Sequence, residues 1–166
     1  ETDSVATADD EQKLWIVGGK ERQQLLKDFI SNEKPQRAII FANRRDQTHR
    51  LVTYLTKKGI QCEGLAGDIP QKKRLSTLNR FKEGKLQYLI ATDVAGRGIH
   101  VDGVSHVINF ELPDDPEDYV HRIGRTGRAG ADGVAISFVS EDDAFNLPAL
   151  EEYLGNEIKC CLLYTS

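Results

Sequence analysis

Runs of apolar residues recur along this chain, and segments with helical periodicity separate them. Residues 38–42 are apolar at every position, which is typical of a strand whose two faces are buried in a parallel sheet. The next segment carries Leu51, Val52 and Leu55 at the spacing of one helical face. This alternation predicts an α/β domain of three layers, with a mainly parallel sheet flanked by helices. The predicted strands are 13–17, 38–42, 60–65, 86–91, 105–110 and 134–139, and the other predicted helices are 20–32, 70–81, 116–124 and 142–154.

The net charge of −4 hides an uneven distribution along the 166 residues. Residues 1–12 hold five acids and no base, whereas residues 20–97 hold 17 lysines or arginines against 8 acids. The middle of the chain could form a face that follows a phosphate backbone, and solvated helix faces explain many of the same residues. Residues 1–12 have too little apolar content to fold alone, so we predict that they are disordered.

Cysteine use and hydropathy predict a cytoplasmic protein. Cys62 is isolated, and Cys160 and Cys161 are adjacent, which fits neither a disulfide framework nor a zinc site. No apolar run reaches about 18 residues, and the first residues lack the features of a signal peptide. We therefore expect no bound structural metal and no membrane association.

The segment 121–128 reads His-Arg-Ile-Gly-Arg-Thr-Gly-Arg, with three arginines and a histidine in eight residues. Arginine carries a permanent charge on a planar fork that matches phosphate oxygens in pairs. Pro116 and the acids after it predict a helix start, and Gly124 predicts its end. A solvated basic helix end is the alternative interpretation. The density of arginines favours phosphate recognition.

Four segments together resemble the motifs of the DEAD-box RNA helicases. Residues 121–128 resemble motif VI, residues 91–99 resemble motif V, residues 71–74 resemble motif IVa and residues 38–43 resemble motif IV. They follow the order of the family, and the resemblance covers residues 12 to 158, with most likeness to the bacterial RhlB subgroup. It implies a RecA-like domain over residues 13–160, the second of two in such helicases, and residues 1–12 would end the linker between them.

The motifs that hold nucleotide in this family are absent from the chain. It contains no Gly-x-x-x-x-Gly-Lys-Ser/Thr loop and no Asp-Glu-Ala-Asp run. The resemblance implies that ATP and Mg²⁺ are held mainly by an N-terminal RecA-like domain of the full-length chain. The fragment alone is therefore expected to be inactive.

The resemblance also implies roles for individual residues. Arg125 and Arg128 match the catalytic arginine fingers that stabilise charge on the γ-phosphate. The nucleotide side would comprise Gly98, His100, His121, Arg122, Arg125 and Arg128, and the contacts between the two domains Arg97, His121 and Arg122. The RNA backbone would meet Asn43, Arg44, Gln71, Arg74, Thr92 and Gly96.

Two positions depart from the family pattern. His100 replaces the usual Asp that contacts the nucleotide ribose, so we expect a weaker or water-mediated contact there. Arg44 replaces the usual Thr of motif IV and would meet phosphate by charge. His49 and His106 have no partner pattern and are predicted to be structural.

The leading functional hypothesis is the second domain of an ATP-dependent RNA helicase that acts in RNA unwinding and degradation. A DNA helicase or translocase of the same superfamily is one alternative. A non-catalytic module for RNA tethering or partner docking is another, and the resemblance implies the endoribonuclease E scaffold of the RNA degradosome as its partner. Acids beside an apolar terminal helix could contribute to that surface, namely Glu151, Glu152 and Glu157.

The last residues raise a separate hypothesis. Residues 161–166 can be written in codons that resemble a transposon end used in preparing sequencing libraries, so we predict that they are not native. A natural short apolar C-terminus is the alternative.

Overall fold

The computed structural model describes residues 11–17, 21–96, 104–123, 133–154 and 159–161. The strands are β1 (Glu11–Ile16), β2 (Ala38–Phe41), β3 (Glu63–Leu65), β4 (Tyr88–Ala91), β5 (His106–Asn109), β6 (Val134–Val139) and β7 (Lys159–Cys161). The helices are α1 (Arg22–Glu33), α2 (Arg45–Lys57), α3 (Gln71–Lys82), α4 (Asp93–Gly96), α5 (Pro116–Ile123) and α6 (Leu147–Leu154).

The strands form one seven-stranded sheet in the order β3-β4-β2-β5-β6-β1-β7. Every pairing is parallel, from Leu65 beside Ala91 at one edge to Trp15 beside Cys161 at the other. Parallel neighbours need crossover connections, which the helices supply. The predicted α/β architecture with a parallel sheet is confirmed.

Alternate residues of each central strand pack against different helices. In β2, Ile40 faces a cluster that includes Leu26 of α1 and Leu51 of α2. Its neighbour Ile39 faces a second cluster that contains Phe81 of α3. Both faces of the strand are therefore buried, which explains why residues 38–42 are apolar at every position.

Helices α1 and α2 cover one face of the sheet, and α3 to α6 cover the other. On the second face, Tyr119 and Ile123 of α5 pack with Leu150 of α6 against Ala135 and Val139 of β6. This arrangement gives the three predicted layers. It also places the loops that follow β2, β4 and β5 at one edge of the sheet, where α/β proteins collect their ligands.

The predicted helix over 142–154 is wrong in one respect. The chain forms a 3₁₀ helix over Glu141–Phe145 and then restarts as α6. Ser140 and the Asp143 side chain cap the 3₁₀ segment reciprocally. Pro148 has no N–H with which to continue the hydrogen bonds from that segment.

Other elements also differ from the prediction. Strand β3 begins at Glu63 instead of residue 60, because Ile60 donates its N–H to Leu55 and closes the turn after α2. Strand β1 begins at Glu11, two residues before the predicted start of the domain. Strand β7 was not predicted, and it includes Cys161, the first residue of the segment 161–166 that was predicted to be non-native. Among the described helices, none is long and apolar enough to span a bilayer.

Candidate functional site

The structure brings three of the predicted motifs together at the carboxyl edge of the sheet. Asn43 follows β2, Asp93 follows β4, and α5 returns to the same edge after β5. The point at which they meet is the guanidinium of Arg122, on the last turn of α5. The side chain of Arg122 is 1% exposed.

All five N–H donors of Arg122 have acceptors inside the domain. Nε and Nη2 donate to the two carboxylate oxygens of Asp93 at 2.6 and 2.7 Å, a bidentate pair. Nη2 also donates to Asn43 Oδ1 at 2.7 Å. Nη1 donates to Asn109 Oδ1 at 3.1 Å and to the carbonyl oxygen of Glu111 at 2.8 Å. A guanidinium has five donors, so this side chain is saturated.

An aromatic ring and buried polar groups surround Arg122. Its Cζ lies 5.2 Å from the centre of the Phe41 ring, a cation–π contact. Asn109 is buried and donates through Nδ2 to Ser137 Oγ at 2.9 Å. Burial raises the pKa of Tyr119, on the same helix, to about 12, and a hydrogen bond with Ser137 opposes the rise. The tyrosine therefore remains neutral at physiological pH.

Arg122 was predicted to contact nucleotide and the partner domain. In the structure it joins motifs IV, V and VI of one domain, and its donors are occupied there. The neighbouring His121 is exposed at the end of α5. Of these two predicted contact residues, only His121 presents its side chain to solvent.

Asn43 is held from three directions. Its backbone N–H donates to Glu111 Oε1 at 2.9 Å, and its Nδ2 donates to the carbonyl oxygen of Leu112 at 3.0 Å. Its Oδ1 accepts from Arg122. Both ends of the amide are engaged within the domain, whereas the side chain of the next residue, Arg44, is 77% exposed.

The predicted RNA contacts of motif V are mostly buried. Thr92 is 8% exposed, and its hydroxyl accepts from the N–H of Ala95 at 3.4 Å. Gly96 is buried, and a Cβ added to it would lie 2.9 Å from Cε1 of Phe41. The packing on Phe41 is therefore a structural reason for glycine at position 96, separate from any ligand.

The motif IVa residues lie at the start of α3. Gln71 is exposed and Arg74 is half-buried one turn later. The loop before them is tied to α2 because His49 Nε2 lies 3.1 Å from Asp68 Oδ2. The hydrogen bond with His49 lowers the pKa of Asp68. The predicted structural role of His49 fits this contact, and His106 lies edge-on to Phe29, with 5.8 Å between the ring centres.

Five predicted site residues lie outside the described residues, namely Arg97, Gly98, His100, Arg125 and Arg128. The structure therefore says nothing of the two predicted arginine fingers. The sequence interpretation in turn did not select Asp93, Asn109 and Glu111. Asp93 lies inside motif V, and a carboxylate there was a recognisable signal, but nothing in the sequence marks Asn109 or Glu111 as partners of Arg122.

The described residues offer no arrangement of three or more His, Cys, Asp or Glu side chains suited to a metal ion. The chain also lacks a phosphate-binding loop. Of the three arginines in 121–128, only Arg122 lies in the part of the chain that the structure describes, and its donors are occupied within the domain.

A comparison with models of protein families identifies the family to which the chain belongs. Residues 21–130 match the model of the helicase conserved C-terminal domain, which is more than half of the chain. The chain belongs to the helicase C-terminal domain family. The arrangement of motifs described above is thus the arrangement of a known domain.

Curated relatives narrow the family. The chain is 54% identical over 157 residues to the ATP-dependent RNA helicase RhlB of Pseudomonas syringae pv. tomato, which covers 95% of this chain and 40% of that protein. It is 50% identical over 147 residues to RhlB of Haemophilus influenzae, covering 89% of this chain and 35% of the relative. The chain thus spans about two fifths or less of the length of these relatives. The predicted resemblance to the RhlB subgroup is confirmed.

Solved structures agree on the fold. The E. coli DEAD-box protein SrmB, bound to regulator of ribonuclease activity A, matches with a TM-score of 0.87 at 36% identity and covers 93% of this chain and 91% of its own. S. cerevisiae Dbp5, bound to RNA and ADP BeF3, matches with a TM-score of 0.88 at 32% identity and covers 95% of this chain and 42% of its own. The RecA-like fold of a DEAD-box helicase C-terminal domain is therefore shown.

Proposed function

We propose that this domain is the second RecA-like domain of an ATP-dependent RNA helicase that unwinds RNA in the cytoplasm and takes part in RNA degradation. It supplies Arg125 and Arg128 to an ATP molecule held mainly by the N-terminal domain, and it grips the RNA backbone. The observation that carries this proposal is the saturated guanidinium of Arg122. It joins the segment before the predicted fingers to the strand ends that carry the predicted RNA contacts.

The hydrogen bonds that Arg122 makes to other segments support coupling between ATP and RNA. Helix α5 ends at Ile123, and Arg125 and Arg128 follow it by two and five residues in sequence. The same Arg122 binds Asn43 beside Arg44 and Asp93 beside Thr92. A shift of any one segment must therefore break buried hydrogen bonds with the others, which is how packed elements transmit a change between sites.

The proposed RNA contacts are of two kinds. Gln71, Arg44 and Arg74 present side chains at the surface, and Arg44 supplies charge for a phosphate. Thr92, Asn43 and Gly96 are engaged within the domain, so their part is to shape the loop whose backbone meets the RNA. Contacts of this kind carry little base preference.

The nucleotide lies between two domains in this proposal. ATP with Mg²⁺ supplies the phosphoryl group, and Arg125 and Arg128 stabilise the negative charge that develops on it. His121, exposed on α5, contacts the other domain together with Arg97, and His100 meets the ribose side beside Gly98. The residues before β1 form the end of the linker. The domain begins at Glu11, where β1 joins the sheet, and it is inactive by itself.

The experiment compares two versions of this chain fused to the N-terminal RecA-like domain of a RhlB relative. The unchanged fusion should hydrolyse ATP in the presence of RNA, and Arg125→Ala should lower turnover by ~10³-fold or more at unchanged thermal stability. Arg50→Ala, at an exposed arginine of α2, is the matched control and should retain the activity. A folded fusion that lacks RNA-dependent hydrolysis would contradict the proposal.

A docking module is the second candidate, and two exposed aromatic side chains favour it. Phe145 is 89% exposed and Tyr153 is 52% exposed, with Glu151 and Glu152 on the same terminal helix as Tyr153. The third predicted acid, Glu157, lies outside the described residues. Titration with a basic peptide from an endoribonuclease E scaffold should saturate if the candidate is right and should be weakened by Phe145→Ala. Absence of binding would eliminate it.

A further inference from the structure

Glu111 occupies a position between two functional segments without belonging to any motif in the sequence. It follows β5 at the carboxyl edge of the sheet and is partly buried. Its main chain and its side chain bind different partners. The carbonyl oxygen accepts from Arg122 Nη1 at 2.8 Å, and the carboxylate oxygen Oε1 accepts from the backbone N–H of Asn43 at 2.9 Å.

Asn43 is the first residue after β2 whose backbone N–H donates to a side chain instead of a neighbouring strand. The preceding N–H, that of Ala42, still donates to the carbonyl oxygen of Ala91 at 3.0 Å. On the other side of β2, Phe110 donates to the carbonyl oxygen of Phe41 at 2.9 Å. Beyond this point the chain leaves the sheet, and the Glu111 carboxylate takes over as acceptor for Asn43.

The Glu111 carboxylate holds the backbone of Asn43, the residue at which the chain leaves the sheet. A hydrogen bond to an ionised acceptor is shorter and stronger than one between neutral groups. The residue after Asn43 is Arg44, whose exposed charge is the phosphate contact proposed for motif IV. Asn43 and Arg44 also lead directly into α2, which begins at Arg45.

We propose that Glu111 is a positioning residue for RNA, because its carboxylate sets the course of the Asn43–Arg44 segment while its carbonyl oxygen ties that segment to Arg122. The inference rests on the proposed function. Because a side-chain replacement leaves the carbonyl oxygen and Arg122 in place, the replacement should disturb the RNA side of the site and spare the nucleotide side.

The test measures RNA-stimulated ATP hydrolysis by the two-domain fusion with single-stranded RNA as the titrant. Glu111→Ala should raise the RNA concentration for half-maximal stimulation about tenfold, with kcat at saturating RNA and the KM for ATP near their original values. Glu111→Gln retains an oxygen acceptor of the same length and should recover most of the RNA affinity. Glu117→Ala, which removes an exposed acid from α5, controls for the change in net charge.

Two results would overturn the inference. One is an unchanged RNA requirement in folded Glu111→Ala. The other is an equal loss of kcat, RNA affinity and thermal stability in the Ala and Gln variants, which would indicate a general structural role. If Glu111→Ala does not fold, Glu111→Asp takes its place, since its shorter side chain withdraws the carboxylate from the Asn43 N–H and should raise the RNA requirement while Glu111→Gln does not.

Hydrogen exchange separates this inference from the proposed function. If the unchanged fusion lacks RNA-dependent hydrolysis, the proposed function fails, and the exchange of the Asn43 amide then decides whether Glu111 fixes the segment. Faster exchange at Asn43 with unchanged exchange at Ala42 in Glu111→Ala would support the positioning. Unchanged exchange at both amides would refute it.

Discussion

Two arginine–carboxylate pairs in this domain have the same chemistry and very different surroundings. Arg122 binds Asp93 at the carboxyl edge, with side chains 1% and 24% exposed. Arg80 of α3 binds Glu63 of β3 at the edge of the sheet, with side chains 37% and 29% exposed. Both arginines use two nitrogens for the two oxygens of one carboxylate.

The two pairs differ in what can bind the carboxylate once the arginine is removed. Water can solvate Glu63 if Arg80 is removed, and Thr77 still donates to Glu63 Oε1 at 3.0 Å. Around Arg122 no such replacement is available, because its acceptors are partly buried and three segments share the one guanidinium. Exposed ion pairs contribute little to stability, whereas breaking a buried pair leaves an uncompensated charge. The Arg80–Glu63 pair therefore stabilises the edge strand β3, and the Arg122–Asp93 pair holds the functional loops together.

The largest effect should come from Arg122→Met, which keeps an unbranched side chain and removes every donor. We expect unfolding to become easier by about 3–5 kcal/mol, because Asp93 loses its buried partner. Urea unfolding followed by circular dichroism measures the change. Arg50→Met is the matched control on an exposed helix face, and it should cost less than about 0.5 kcal/mol.

A double variant of Arg122 and Asp93 tests whether the cost of losing Arg122 comes from the unpaired charge of Asp93. If the cost arises from the uncompensated charge, Arg122→Met combined with Asp93→Asn should be less destabilised than the sum of the single changes. Additive costs would show that the two pairs differ in packing and not in charge burial.

A second prediction tests how tightly the carboxyl edge is packed. Gly96→Ala places a Cβ 2.9 Å from Cε1 of Phe41, whose ring also lies against Arg122. We expect a loss of about 1–3 kcal/mol in unfolding free energy, since a well-packed core resists an added methyl group. Gly67→Ala is the control, because no atom lies within 4 Å of its added Cβ. Equal stability of the two variants would mean that the packing around Phe41 adjusts to the added methyl group at little cost.

The smallest effect on the free energy of unfolding should come from Glu63→Gln in the Arg80–Glu63 pair, and this effect should depend on pH. The hydrogen bond from Arg80 lowers the pKa of Glu63, partial burial opposes this shift, and Thr77 adds to it. A lowered pKa in the folded state gives stability that is present above the unfolded value of about 4.3 and is lost as pH falls through the folded value. Urea midpoints of the two proteins should therefore differ near pH 7 and converge as pH falls through the lowered pKa of Glu63 in the folded state. A constant difference at every pH would contradict this.

Salt should also separate the two pairs. Added salt screens exposed charges and affects buried ones less. The difference between Glu63→Gln and the unchanged protein should shrink in 1 M salt, and that of Arg122→Met should persist.

The fold was largely readable from the sequence. Residues 38–42 predicted a doubly buried strand, and the central strands and helices α1, α2, α3 and α5 lie where the sequence pattern indicated. The short helix α4, the break before Pro148 and strand β7 were not predicted. Four-residue helices and three-residue strands carry too little periodicity to recognise, and their existence depends on neighbours.

The sequence by itself determined the layered α/β architecture, the family and the identity of the motifs, because these depend on local patterns of apolar residues, glycines and arginines. Only the tertiary structure decided what Arg122 does. Its five acceptors come from residues 11 to 79 positions away along the chain, and no local pattern records which of them a guanidinium will meet. Burial assigned Arg122 to the interior of the domain and left Arg44 at the surface, because burial depends on how the strands and helices pack and not on residue type.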